Sequence, residues 1–206
     1  MKFYLVKLKL AIARLFRKYV GDFRPYIFLD IDGVLNNQNP EDSEPFHRVF
    51  NSCGTGTYDF IDTRLLKIYL DIQKQMNART VIISSWFHGT GLFYEDAIPT
   101  KDIIESLDYI MSMKRTEVDK IRLMQFRTRY NINAVGITES TGGSESRARS
   151  ILKFVNKHKI RNFVVLDDCG HCWNFTTYFG RKFIPVDGSR GIDSSYVESI
   201  SNELRK

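Results

Sequence analysis

Tyr26-Ile27-Phe28-Leu29-Asp30-Ile31-Asp32-Gly33-Val34-Leu35 decides the fold. A short apolar run, broken at once by two acids and then a glycine, has the pattern of a buried strand delivering carboxylates to its end. In extended backbone, residues two apart point to the same side, so Asp30 and Asp32 are expected to face one small site. Gly33 lets the chain turn sharply there. Two converging carboxylates do not both stay ionised without a cation, so a divalent metal or a retained proton is expected.

Moving outward, four further runs repeat this design. Arg79 to Ile83 ends in Ser84-Ser85, Ile132 to Ile137 at Thr138, Asn162 to Leu166 in Asp167-Asp168, and Lys182 to Val186 in Asp187. They alternate with helical patterns over 61–76, 103–113, 117–130, 146–158 and 195–204. The alternation predicts an α/β fold with a doubly wound parallel sheet, whose ligands bind outside the carboxyl ends of the strands. Residues 36–60 and 87–131 exceed ordinary connections and follow strands at those ends, so both are expected to overhang the site as caps. Asp167-Asp168 adds carboxylates from a second strand. Such a hard, oxygen-rich cluster suits Mg²⁺.

The first stretch resembles motif I of the haloacid dehalogenase (HAD) superfamily, most of whose members are Mg²⁺-dependent phosphohydrolases. Val81-Ile82-Ile83-Ser84 resembles motif II, a basic residue opening the helix after the third strand would be motif III, and Val164 to Asp168 resembles motif IV. The closest resemblance is to the Swiss-army-knife RNA-repair-like HAD subgroup. It rests on Leu29 to Asn36, Ser84-Ser85-Trp86, Arg147 with Ile151, Leu166-Asp167-Asp168, and Phe183 to Gly188. One departure is Phe87, where that subgroup commonly has Arg; His88 is a candidate substitute.

This resemblance implies a HAD-like Rossmannoid sheet in strand order 5-4-1-2-3, spanning 25–206 with small cap insertions. It implies Asp30 as nucleophile, forming an aspartyl-phosphate, and Asp32 as general acid and base. Ser84 and Arg147 would contact the transferring phosphoryl group, with Arg149 and Lys153 as rivals of Arg147. Asp30, Asp32 and Asp168, with Asp167 as the alternative to Asp168, would hold Mg²⁺. Gly33, Ser85, Trp86 and Arg149 are the candidates for substrate binding. The implied substrate is a phosphorylated small molecule, a nucleotide or a nucleic-acid terminal phosphate. Two rival readings are a HAD-like binding or regulatory module without turnover, and a thiol or zinc protein.

The 206 residues carry 30 Lys and Arg against 24 Asp and Glu, a net charge of +6. Residues 1–24 hold seven of the bases and one acid, so the rest of the chain is balanced. This excludes a uniformly basic nucleic-acid-coating protein. Leu5, Leu8, Ile12, Leu15 and Tyr19 recur at helical spacing opposite Lys7, Arg14 and Lys18, which predicts a basic amphipathic helix over 1–24. Such a helix either packs on the body or lies on an anionic membrane surface; an organellar transit peptide or a nucleic-acid arm are further readings. No stretch has the roughly 20 apolar residues of a membrane span, and the pattern is a poor signal peptide. A cytoplasmic protein is expected, with membrane association through this helix as the alternative, and no protein partner is indicated.

Three cysteines, Cys53, Cys169 and Cys172, are too few for a disulfide-stapled secreted domain. Cys169-Gly170-His171-Cys172 has redox-motif spacing but follows a strand end late in the chain, not the setting such chemistry uses. Zinc held by Cys53, Cys169, His171 and Cys172 is conceivable from residue type alone. Lys114, Arg115, Lys120, Arg122, Arg127 and Arg129 make the second insertion basic, as a solvated helix face or as a platform for a polyanion.

Overall fold

The structure is a computed structural model that describes residues 21–36, 47–50, 58–84, 115–139, 144–169 and 173–204. Five strands form one parallel sheet: β1 (Tyr26–Leu29), β4 (Arg79–Ile82), β5 (Ala134–Ile137), β6 (Phe163–Asp167) and β7 (Phe183–Pro185). Their order is β5-β4-β1-β6-β7. Numbering only these five in chain order gives 3-2-1-4-5, the expected order read from the other edge. β1 is central and entirely buried, as its unbroken apolar run requires.

Alternate residues of β1 feed opposite faces. Ile27 and Leu29 join a core with Leu65, Leu66, Tyr69 and Ile72 of α1 (Thr63–Met76), Phe126 and Tyr130 of α2 (Arg115–Tyr130), and Ile200 and Leu204 of α5 (Tyr196–Leu204). Tyr26 and Phe28 join the other, with Ala148, Ile151 and Val155 of α3 (Ser144–Lys157) and Phe175 and Phe179 of α4 (Trp173–Phe179). Phe28 meets Phe163 edge-on at 5.5 Å and Phe154 at 5.9 Å. α1 starts where Asp62, fully buried, accepts hydrogen bonds from the Arg64 and Leu65 amides. It ends at Asn77, whose φ of 47° is the left-handed turn that closes many helices.

The structure departs from the sequence reading in several places. No strand is expected in residues 36–60, which are read only as a cap, yet β2 (His47–Phe50) and β3 (Tyr58–Ile61) pair antiparallel there. Their short, mixed runs carry little alternation. α4, following Asp167-Asp168, is only seven residues long, too short for a helical period to stand out. Of the N-terminal segment, residues 21–24 are described, and they are not helical. Asp22 bridges to Ile160, its amide bonded to the Lys159 carbonyl at 2.8 Å, and its carboxylate pairs with Arg24 and accepts from the Tyr26 hydroxyl. Residues 1–20 of the expected 1–24 helix, the 103–113 helix and residues 87–114 of the expected 87–131 cap lie outside the described residues. No described helix is long and apolar enough to cross a membrane.

Candidate active site

Sheet register assembles the site. Leu29 is level with Leu166 on one side and Ile82 on the other, so the next residues, Asp30, Asp167 and Ile83, emerge together at the carboxyl edge. The Asp30 amide bonds the Leu166 carbonyl at 2.9 Å, and the Ile83 amide bonds that of Leu29 at 2.9 Å. Ser84 follows at once and is fully buried. Carboxylate oxygens of Asp30, Asp167 and Asp168 lie within 4.8 Å of one another, the one such metal-capable group among the described residues.

From across the sheet edge, the Nη1 of Arg147 donates to Asp30 Oδ2 and, at 2.7 Å, to Asp167 Oδ2. α3 aims this residue inward. Arg149, two positions on and so roughly 200° around the helix, stands on a different face and pairs with Glu145, while Lys153 pairs with Glu139. The structure therefore brings Arg147 into the cluster and leaves Arg149 and Lys153 on the exposed surface.

Asp167 and Asp168 also separate. Asp167 is fully buried, with Oδ2 held by Arg147 and Oδ1 accepting the Cys169 amide at 2.9 Å. Asp168 is partly exposed and sits against two glycines from different loops. A Cβ at Gly188 would lie 2.7 Å from Asp168 Oδ2, and one at Gly33 closer still. Gly33 also has φ of 67°, where an L side chain is strained. Gly188, in the turn after β7, was not among the expected site residues. Its signal was the Asp187-Gly188 pair at a strand end.

The charges explain the titration behaviour. Burial, and next the charge of Asp167, push the Asp30 carboxyl up to about 8, against the attraction of Arg147. One guanidinium cannot neutralise two buried carboxylates. Arg147 itself loses hydration, but Asp30 and Asp167 together outweigh that loss and hold its proton more firmly than usual. Asp168 is raised by burial, then by the charges of Asp167 and Asp32. With all three ionised, three carboxylates against one guanidinium leave two excess negative charges, which one divalent cation would offset. The donors are all hard oxygens, and the two glycines keep Asp168 free of side-chain crowding, so the residues present fit Mg²⁺.

Asp32 begins a turn instead of continuing the strand, and its carboxylate is outside the three-residue group, although its charge acts on Asp30. Its Oδ1 accepts from the Asn36 amide at 3.1 Å. Ser85, Trp86, Phe87 and His88 lie outside the described residues. Cys169 is disulfide-bonded, so its sulfur is not a free thiolate for zinc; Cys53, His171 and Cys172 are outside the described residues.

With this geometry in place, the sequence matches a family model described as the HAD domain in Swiss Army Knife RNA repair proteins, over residues 26–197. The chain belongs to this HAD family. No curated protein matches it, and no solved structure does. The matched span runs from the first residue of β1 into α5, so it takes in the whole HAD sheet and every acid of the cluster. It supports a phosphohydrolase-family domain.

Proposed function

We propose that this HAD domain is a Mg²⁺-dependent phosphohydrolase that cleaves phosphate monoesters through an aspartyl-phosphate on Asp30. The observation that carries the reading is the convergence of Asp30, Asp167 and Asp168 at the carboxyl edge of the sheet, with Arg147 paired to the first two.

Asp30 and Asp168 are the residues that would hold Mg²⁺, with Asp167 oriented behind them by Arg147 and the Cys169 amide. Mg²⁺ bound there would neutralise phosphoryl oxygens and favour the ionised form of Asp30. The ionised Asp30 attacks phosphorus; the leaving oxygen departs with a proton from Asp32, which afterwards takes one from the hydrolytic water. Ser84 donates a hydrogen bond to the transferring group, and Arg147 offsets its negative charge. Ser85, Trp86 and Gly33 are proposed as substrate contacts.

The substrate class is a nucleic-acid terminal phosphate or a nucleotide. This draws on the RNA repair proteins that name the family and on the basic residues Lys120, Arg127 and Arg129 of α2. The cationic segment 1–24 suits contact with an anionic membrane surface, which sedimentation of the chain with liposomes, with and without residues 1–24, would test.

The direct experiment is a screen of nucleotides, sugar phosphates and 3′- or 5′-phosphorylated oligonucleotides, with and without Mg²⁺. Phosphate release that needs Mg²⁺, and that Asp30→Asn abolishes, is the expected result. Metal binding with no release from any phosphoester would overturn the reading and favour a binding module.

A further inference from the structure

Helices that alternate with parallel strands run back against them, so their carboxyl-terminal turns collect at the amino edge of the sheet, opposite the acid cluster. Hydrogen bonds tie the segments that meet there into one surface. The Asn162 side-chain amide donates to the Leu204 carbonyl at 2.6 Å and to the Phe23 carbonyl at 3.2 Å, joining the end of α5 to the stretch before β1. The Asp22 amide bonds the Lys159 carbonyl at 2.8 Å, the Arg161 amide bonds that of Asp22 at 2.8 Å, and the Arg79 amide bonds that of Pro25 at 2.9 Å. Residues 21–25, 74–79, 157–162, 180–182 and 201–204 of this edge carry eight Lys and Arg against two acids. Those acids, Asp22 and Glu203, already pair with Arg24 and Arg181. Lys74, Lys157, Lys159 and Arg161 are exposed and make no ion pair with a described residue. Bases on the carboxyl side are held differently: Arg147 lies among the acids, and Arg149, Lys153 and Arg190 each pair with one. The charge balance of the body therefore conceals a separation, with acids at one edge of the sheet and unneutralised bases at the other.

We propose that this edge is a docking face for an anionic phospholipid bilayer, which the body and the cationic segment 1–24 contact together. The proposal extends the reading of segment 1–24 given above and does not depend on the phosphohydrolase chemistry. Gly21, through which residues 1–20 join the body, lies on the edge against Arg161. Residues 1–20 carry six bases and no acid, and Leu5, Leu8, Ile12 and Leu15 recur among them at helical spacing. That combination suits anionic headgroups with acyl chains beneath them. Phe23, 56% exposed beside Arg24, adds an aromatic side chain of the kind that seats at such an interface. A nucleic acid has phosphates but no apolar layer for these residues to enter. It would also lie on the wrong side, because six residues of largely extended backbone, roughly 20 Å, separate Arg161 from Asp167. A bilayer at the amino edge leaves the carboxylate cluster facing water.

The test is sedimentation of the full chain with vesicles of phosphatidylcholine containing phosphatidylserine, and with phosphatidylcholine alone. The chain should sediment with the mixed vesicles only, and added salt should release it. Lys157→Gln with Arg161→Gln, and Lys74→Gln with Lys159→Asn, each remove two charges from the edge and leave segment 1–24 untouched. Asn suits position 159, whose φ of 54° is left-handed. Each double variant should lower the partition coefficient about 10- to 30-fold. Arg149→Gln with Arg190→Gln removes the same charge from the carboxyl side, beyond the reach of the screened surface field, and should stay within about twofold of wild type. If wild type binds the mixed vesicles and either edge variant binds as tightly, the face is overturned and segment 1–24 is the whole contact. Equal losses in all three variants would show a response to net charge alone and would also overturn it. A wild-type chain that does not sediment would overturn the face together with the membrane reading of segment 1–24. A chain that ignores vesicles but retains single-stranded RNA, and loses it in the edge variants, would overturn the proposal in favour of nucleic acid.

Discussion

Arg147 Nη1 donates to Asp30 Oδ2 across 117 positions of sequence, and the same nitrogen also serves Asp167. One cation therefore ties the end of the central strand to the end of its neighbour, inside a group of acids that would otherwise repel. Arg147→Met keeps much of the side chain's length and removes the charge. It should lower kcat by about 100-fold or more, comparable to losing a donor to developing charge at an active site. It should also lower the melting temperature in EDTA, with excess Mg²⁺ restoring part of the loss. A variant as active as wild type would remove Arg147 from the site.

The raised Asp30 carboxyl gives stability a pH dependence. Its ordinary value is 3.8 and its folded value is about 8. Between these, the folded protein holds a proton that the unfolded chain has released, so this group's contribution falls as pH rises from about 4 to about 8. Urea unfolding of metal-free protein across that range should show the decline, and Asp30→Asn should flatten it. Identical slopes for the two proteins would contradict the assignment.

Mg²⁺ binding competes with the Asp30 proton. Titration calorimetry at pH 7 in buffers of different ionisation enthalpy should report up to about one proton released per metal bound. Proton uptake would be the contrary result.

Gly188 matters through the space it leaves. A methyl group at this position meets Asp168 Oδ2 at 2.7 Å, so the carboxylate must move. Gly188→Ala should weaken Mg²⁺ binding about tenfold, equivalent to ~1.4 kcal/mol, with a smaller change in melting temperature. Unaltered metal affinity would show that Asp168 relaxes freely.

Asp62 ties the motif I turn to α1. Fully buried, it caps the helix at the Arg64 amide (2.7 Å) and pairs with the Arg64 guanidinium at 2.8 Å, while its own amide bonds Leu35. Burial opposes its charge, but the Arg64 hydrogen bonds win and hold its carboxyl below the usual range. Its stabilisation is present above the unfolded carboxyl value and fades as pH falls through the lower folded value. Asp62→Ala should cost about 1–2 kcal/mol of unfolding free energy at neutral pH, measured by urea denaturation.

Much of this was legible in the sequence because it is local. The strand that ends in Asp30 is a run of apolar side chains interrupted by acids, a pattern that neighbouring residues impose on each other. The helices at 63–76 and 144–157 start and stop within two residues of their expected limits, since their apolar stripes and flanking polar residues are properties of short windows. The hairpin of β2 and β3 and the seven-residue α4 escaped because too few residues repeat to establish a period.

The sequence by itself determined the α/β architecture, the parallel strands and the set of polar residues collected at their carboxyl ends. Only the tertiary structure decided among members of that set. It singled out Arg147 over Arg149 and Lys153, because helical rotation turns just one of them toward Asp30. It divided Asp167 from Asp168, because the first is enclosed by Arg147 and the Cys169 amide while the second stands against Gly33 and Gly188. It also brought Asn36 to Asp32. These are relations of distance and direction, set by sheet register, helix phase and the closure of loops, and residue type alone does not encode them.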